Sequence, residues 1–142
     1  MSVPDGYNSL ATYLISPEAE QIVSLAIAAF DASPVNDPIR LPDGRMMHVT
    51  LRIGDSTVMV GQPPDGAPGM TAMIHLYVDD CDTAHARAVA AGGVEEMAPA
   101  DQVHGDRASM VRDAGGNRWW IATRIETVRP DEIARRAAAQ HR

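Results

Sequence analysis

A strand–helix–hairpin order occurs twice in this chain, and that repetition limits the possible folds more than any other feature. In the first half, apolar residues at 10–15 indicate a strand, and the Ser-Pro-Glu run at 16–18 is typical of a helix start. Apolar residues at helical spacing continue this helix to about Phe30, and alternating residues predict a hairpin over 46–61. Proline and glycine are frequent at 62–69, so regular structure stops there.

The second half repeats this order after the break. Residues 73–78 alternate as a strand, and the Asp79-Asp80 pair offers a cap for an alanine-rich helix over 82–91. A hairpin around a Gly-Gly-Asn turn spans 107–123. Each half has an apolar sheet face that one helix cannot cover. We therefore expect two α+β modules that pack together and enclose a shared cleft, and such clefts are preferred ligand sites.

The two halves can be aligned although they share few identical residues. Placing Leu14 over Leu76 puts the two helices in register. Met59-Val60 can then be placed over Trp120-Ile121 with a one-residue slip in the turn. The expected organisation is one domain, 1–142, with module one at about 8–62, module two at about 71–124 and a C-terminal helix at about 130–140.

Composition excludes several partners and chemistries. Twelve arginines, no lysine and nineteen acidic residues give a net charge of −7, so we expect no nucleic-acid partner. The lack of lysine excludes a P-loop and Schiff-base chemistry, and the lone Cys81 excludes a disulfide framework. No apolar run approaches the ~20 residues of a membrane helix, and no secretory signal is visible. We therefore expect no membrane partner and a cytoplasmic location.

Eight short stretches, spread over nearly the whole chain, together resemble the sequence pattern of a known superfamily. They lie at 13–15, 43–48, 52–56, 76–80, 98–102, 105–107, 111–113 and 116–119. In this combination they resemble the vicinal-oxygen-chelate superfamily of glyoxalases, bleomycin-resistance proteins and extradiol dioxygenases, and in particular its PhnB-like branch. The resemblance implies an α+β fold in which paired βαβββ modules form a curved, partly open mixed sheet around a cavity.

The resemblance also implies where a metal ion would bind. Metal-dependent members use one ligand from the first and last strand of each module, and these positions fall at or beside Ala11 and on Met59, Met73 and Trp120. Alanine has no donor atom, a thioether is a poor ligand for the divalent ions concerned, and the indole nitrogen only donates. We therefore expect no metal site and no cofactor. A two-residue slip would keep the sheet face and admit His75 as a ligand.

The same positions are instead expected to line the cavity. Met59, Met73 and Trp120 would form a soft, adaptable apolar lining. His75 lies on the strand face of Met73, where it either bonds a ligand or is a structural histidine satisfied by backbone. Tyr13, in a matching first-strand stretch, completes the expected ligand-binding set. Trp120 either fills the cavity or forms a stacking wall for a flat ligand.

Three further side chains are secondary candidates for ligand contact. His48 begins a polar row that is solvent-facing, part of a subunit contact or ligand-binding, and His104 lies in a loop where it either gates the cavity or is inert. Arg112 either binds an anion or pairs with Asp113. No catalytic residue can be assigned from these patterns.

Other polar residues have structural interpretations. Asp106 and Arg107 are neighbours that suggest an ion pair, and His85 is predicted to lie on the surface. Acidic neighbours are expected to raise the pKa of Cys81, which argues against a nucleophile. The adjacent Trp119 and Trp120 must point to opposite faces of their strand.

The leading functional hypothesis is a metal-free protein that binds or sequesters a small apolar or aromatic compound in the inter-module cavity. The alternative is a divalent-metal-dependent lyase, isomerase or dioxygenase that uses His75. A third interpretation is an interaction protein whose cavity is filled by its own tryptophan. Exposed sheet and helix edges predict a twofold homodimer that buries on the order of 1,000 Å² or more.

Overall fold

Two βαβββ modules follow one another in the computed structural model, which describes residues 2–141. Module one contains β1 (Thr12–Ile15), α1 (Ala19–Phe30), β2 (Ser33–Pro34), β3 (Ile39–Arg40), β4 (Met46–Ile53) and β5 (Ser56–Gly61). Module two contains β6 (Met73–Tyr77), α2 (Cys81–Ala90), β7 (Val94–Asp101), β8 (Asp106–Arg112) and β9 (Arg118–Arg124), and α3 (Pro130–Gln140) follows it. The predicted α+β class and paired βαβββ modules are confirmed, with the edge strand of module one divided into the two-residue strands β2 and β3, which both pair with β4.

Each module forms its own mixed sheet with the same pairing pattern. The strand order is β1-β5-β4-β2 in the first sheet, with β3 also on β4, and β6-β9-β8-β7 in the second. In both sheets the first strand runs parallel to the last strand of its module. Leu14 lies beside Val60 and Leu76 lies beside Ile121, so the alignment of the two halves is confirmed in three dimensions.

The two modules pack together through their helices. Helix α1 covers β4 and β5, helix α2 covers β7 to β9, and the helices contact each other. Helix α1 also reaches the second sheet, because the ring of Phe30 lies 4.9 Å from that of Trp119. Trp119 is only 1% exposed. The helices therefore lie between the two sheets, and the opposite sheet faces point away from each other.

Those outward faces are called the open faces here. Open face one, on the first sheet, carries Tyr13, His48, Thr50 and Met59. Open face two, on the second sheet, carries Met73, His75, Tyr77, Met110, Arg112, Arg118, Trp120 and Arg124. Met73 is 61% exposed and Tyr77 is 53% exposed, so one chain leaves large apolar side chains of open face two uncovered.

Some local details differ from the sequence prediction. Strand β7 was not apparent from alternation, because it is an edge strand with mostly exposed residues and irregular pairing to β8. Helix α1 begins at Ala19. The Ser16 hydroxyl accepts a hydrogen bond from the backbone N–H of Glu18, which precedes the helix, so it caps no N–H group within the helix. The Asp80 cap is confirmed, because its carboxylate accepts from the backbone N–H of Thr83 at 3.1 Å.

Within residues 2–141, every helix is too short or too polar to cross a bilayer.

Candidate functional site

Open face one carries a short hydrogen-bonded row of polar side chains. The Tyr13 hydroxyl lies 2.8 Å from Nδ1 of His48, and Nε2 of His48 lies 3.2 Å from Oγ1 of Thr50. Met59 lies between Tyr13 and Thr50 in the sheet, since it is the register partner of both. Thr50 is fully buried although it faces outward. The row thus fixes the His48 ring beside an apolar patch at Met59.

Open face two carries a row of three rings. The imidazole of His75 lies 4.9 Å from the Tyr77 ring and 6.4 Å from the Trp120 ring, measured between ring centres. Met73 lies on the same face of β6, and Met110 is the register partner of Trp120 on β8. This arrangement offers aromatic and thioether surface to a flat apolar guest.

A buried carboxylate lies at the end of this row. Oδ2 of Asp106 accepts a hydrogen bond from the Tyr77 hydroxyl at 2.8 Å and lies 3.2 Å from Nε2 of His104. Oδ1 of Asp106 lies 2.8 Å from Nε of Arg124, and the carboxylate is fully buried. The neighbouring Tyr77 phenol is the first cause of a raised pKa at Arg124, and the Asp106 carboxylate adds to it. We call these four residues the Asp106 corner.

The expected pairing of Asp106 with Arg107 is wrong. Arg107 instead binds Asp82 and Asp101, at 3.1 and 3.0 Å. Adjacent residues on a strand point to opposite faces. The side chains of Asp106 and Arg107 on β8 therefore lie on opposite sides of the sheet and cannot pair with each other. That rule was available from the sequence, whereas the partner Arg124 depends on the pairing of β8 with β9.

Of the two alternatives for Arg112, the pairing with Asp113 is wrong. Arg112 lies 3.7 Å from Glu96, a carboxylate that also binds Arg118 at 2.7 Å. Asp113 is buried and accepts a hydrogen bond from the indole nitrogen of Trp119 at 2.9 Å. Arg112 and Arg118 therefore form a second charged group on open face two, at the other end of β9 from the Asp106 corner.

His85 does not lie on the surface as predicted. It is 6% exposed, with Nδ1 2.8 Å from Oγ of the buried Ser109 and Nε2 2.6 Å from Oε1 of Glu95. The side chain thus connects α2 to β7 and β8 on the core side of the second sheet. The missed signal is its spacing, because His85 follows the buried Cys81 by four residues and so shares its helix face.

The pKa of Cys81 is raised, as expected, but burial is the first cause and the nearby carboxylates add to it. The thiol donates to the backbone oxygen of Ile121 at 3.3 Å and is 2% exposed. These contacts support the structural interpretation of Cys81.

Among the residues that define the open faces, Tyr77 alone lines a cavity in the part of the chain that the structure describes. One of about 500 Å³ lies beside the β3–β4 hairpin, where its lining includes Leu41, Met47 and Pro63. Another, of about 350 Å³, lies between the modules near Phe30 and Tyr77. Neither is lined by the expected ligand-binding residues Tyr13, Met59, Met73, His75 and Trp120. One chain therefore divides those residues between two separate surfaces.

The residues at the implied metal positions do not fit a divalent ion. Met59 and Trp120 are equivalent in the two sheets, and neither a thioether nor an indole N–H supplies the oxygen or imidazole donor that such ions prefer. Ala11 supplies no side-chain donor. Within residues 2–141, no three His, Cys, Asp or Glu side chains are grouped so that they could hold a metal ion.

Comparisons with known proteins agree with this architecture. The chain is 31% identical over 143 residues to an uncharacterized protein of Mycobacterium bovis, and the match covers 93% of each chain. TioX from Micromonospora sp. ML1 has a similar fold, with a TM-score of 0.68 and 22% identity over 83% of this chain and 99% of that one. Lactoylglutathione lyase from Agrobacterium tumefaciens is also similar, with a TM-score of 0.59 and 17% identity over 84% and 94% of the two chains.

A family profile matches most of the chain. It describes the Glyoxalase/Bleomycin resistance protein/Dioxygenase superfamily and matches residues 9–121, which include all strands of both modules except the end of β9. Together with the paired βαβββ modules, this match shows that the chain belongs to the Glyoxalase/Bleomycin resistance protein/Dioxygenase superfamily.

Proposed function

We propose that this protein binds a small apolar or aromatic compound without a metal ion. The observation that carries the proposal is the ring row of open face two, where His75 lies within 6.4 Å of both Tyr77 and Trp120. Met73, on the same face, is 61% exposed. Stacking and thioether contacts of this kind hold flat apolar guests and tolerate more than one shape.

The binding cavity is completed by a second copy of the chain. Within one chain the helices separate the two open faces, so Tyr13 and Met59 cannot cover Trp120. In a twofold dimer, open face one of each copy covers open face two of the other, which makes two equivalent cavities. The exposed Tyr13 and Met73 would then become buried, and a stable contact of this kind covers on the order of 1,000 Å² or more.

Affinity in the micromolar range is consistent with this geometry. A guest of two fused rings that loses most of its apolar surface gains several kcal/mol at roughly 25 cal/mol per Å². Immobilising the guest offsets part of that gain. The proposal therefore needs no catalytic residue and no cofactor. Membership of the PhnB-like branch and a cytoplasmic location of the protein remain predictions.

A calorimetric screen of aromatic metabolites against metal-free protein tests the proposal. We expect at least one flat apolar compound to bind with micromolar affinity in the presence of a chelator, and addition of zinc, nickel, iron or manganese after removal of the chelator to leave that affinity unchanged. One tightly held ion per chain, lost in His75→Ala, would support the metal-dependent lyase, isomerase or dioxygenase instead. The absence of any binder below millimolar concentration would contradict the proposal.

A further inference from the structure

We infer that the Asp106 corner anchors an anionic oxygen of the ligand, so that the site selects aromatic compounds with a carboxylate or phenolate group. This inference rests on the function proposed above. It assigns a role to Tyr77, His104, Asp106 and Arg124, of which only His104 was a candidate from the sequence.

Burial decides which groups of the corner a ligand can reach. The Asp106 carboxylate is fully buried and is surrounded by Tyr77, His104 and Arg124. The Arg124 and His104 side chains are 49% and 38% exposed. A ligand that approaches over open face two therefore meets the guanidinium and the imidazole, while the carboxylate stays out of contact.

The exposed groups determine the chemistry that the corner recognises. A guanidinium has donors and no acceptor, and its bonds to anionic oxygen are shorter and stronger than neutral hydrogen bonds. Nη1 of Arg124 donates to the backbone oxygens of His104 and Glu126, each at 3.3 Å, and Nε forms an ion pair with Oδ1 of Asp106 at 2.8 Å without an aligned hydrogen bond. Arg124 is thus oriented before a ligand arrives, which lowers the ordering cost of binding. A cationic ligand would face this guanidinium without access to the buried carboxylate.

The backbone around the corner is also closely packed. The amides of Ile125 and Glu126 both donate to the backbone oxygen of Gly105, at 2.9 and 3.1 Å. Gly105 has φ +105°, and a Cβ at this position would lie 2.3 Å from the Glu126 oxygen. The loop that carries His104 is therefore held against the end of β9, next to Arg124.

The corner adjoins the ring row. The Tyr77 side chain belongs to both, because its ring lies 4.9 Å from the His75 imidazole and its hydroxyl bonds to Asp106. A two-ring guest over His75 can contact Trp120 on one side and direct a substituent toward Arg124 on the other. The chain as a whole carries a net charge of −7, so binding of an anion depends on a locally exposed cation such as Arg124.

A matched set of naphthalene compounds tests this inference by calorimetry at pH 7. The probes are 2-naphthoate, its neutral methyl ester and the cationic 2-naphthylmethylamine. The variants are Arg124→Gln, Arg124→Lys and the control Arg118→Gln, since Arg118 lies on the same face of β9, is 52% exposed and also pairs with a carboxylate.

We expect wild type to bind 2-naphthoate about tenfold more tightly than the ester, as one charge-assisted hydrogen bond allows. Arg124→Gln should remove this preference without weakening the ester, Arg124→Lys should retain part of it, and Arg118→Gln should leave it intact. Equal binding of acid and ester to wild type, or loss of the preference in Arg118→Gln alone, would overturn the inference and leave the proposed function standing. Tighter binding of the amine would overturn it in the same way. If none of the three probes binds, the inference fails, and the screen of aromatic metabolites decides separately whether the proposed function stands.

Discussion

Tyr13 and His75 occupy equivalent positions in the two modules. Each directly precedes the central leucine of its first strand, and each lies beside the last-strand residue of its sheet, Met59 for Tyr13 and Trp120 for His75. Both side chains extend from an open face. In the proposed twofold dimer, the Tyr13 phenol of one copy and the His75 imidazole of the other would line the same cavity, since these two residues lie on separate faces of one chain.

This arrangement predicts that ligand binding and dimer formation are lost together. Met73→Arg would place a charge on open face two, where a second copy would have to bury it, and a buried unpaired charge is costly. We expect the variant to be monomeric by light scattering at micromolar concentration and to bind no aromatic guest. Val89→Arg, on an exposed position of α2, is the control and should stay dimeric. A wild-type protein that is monomeric at this concentration would contradict the dimer.

The buried His85 predicts a specific loss of stability. Replacing His85 with alanine leaves the hydroxyl of Ser109 without its partner and opens space beside α2, so we expect a loss of about 2 kcal/mol in the free energy of unfolding. Urea unfolding followed by circular dichroism measures this loss. His141→Ala, at an exposed position, should change the stability by less than about 0.5 kcal/mol. Equal effects of the two substitutions would show that His85 is not a structural link.

Gly105 predicts a second difference in stability. Its φ of +105° disfavours a side chain, and an alanine Cβ would also clash with the Glu126 backbone oxygen. Gly66 has φ +78° but open space around it, so Gly66→Ala is the matched control for the backbone conformation alone. We expect Gly105→Ala to be the more destabilising by roughly 1–3 kcal/mol in urea unfolding. A smaller effect than that of Gly66→Ala would contradict the close packing at the Asp106 corner.

The cap of α2 predicts a pH dependence. Hydrogen bonding to Thr83 lowers the pKa of Asp80 below its ordinary value of 3.8, so the folded state favours the ionised carboxylate. This contribution to stability is present above pH 3.8 and is lost as the pH falls through the lowered folded-state pKa. Asp80→Asn keeps an acceptor for the cap but does not titrate. The free energy of unfolding of wild type, relative to that of Asp80→Asn, should therefore decrease as the pH falls into the acid range. A difference that does not change with pH would contradict the cap assignment.

The sequence predicted the repeat well because hydrophobic periodicity is local. Leu14 and Leu76 could be aligned from their neighbours alone, and Trp119 and Trp120 could be assigned to opposite faces by alternation. The direction in which each open face points could not be predicted in the same way. It depends on the packing of α1 against α2 and of Phe30 against Trp119, and both contacts join the two modules.

The polar contacts were harder to predict than the apolar ones. Asp106 was assigned to its sequence neighbour, whereas its partner Arg124 comes from the next strand and Tyr77 from a strand 29 residues earlier. Partners of a buried carboxylate are set by strand register and side-chain reach, which no local pattern reports. His85 shows the opposite case, since its four-residue spacing from the buried Cys81 was a local signal of burial.

Tryptophan fluorescence during titration with an aromatic guest tests the central claim most directly. The two tryptophans report on opposite sides of β9, since Trp120 lies on open face two and Trp119 is buried against Phe30. A flat guest that stacks on open face two should quench the emission of wild type and of Trp119→Phe, and should leave Trp120→Phe almost unchanged. Quenching that persists in Trp120→Phe and disappears in Trp119→Phe would place the guest on the core side of the second sheet and contradict the proposed binding site.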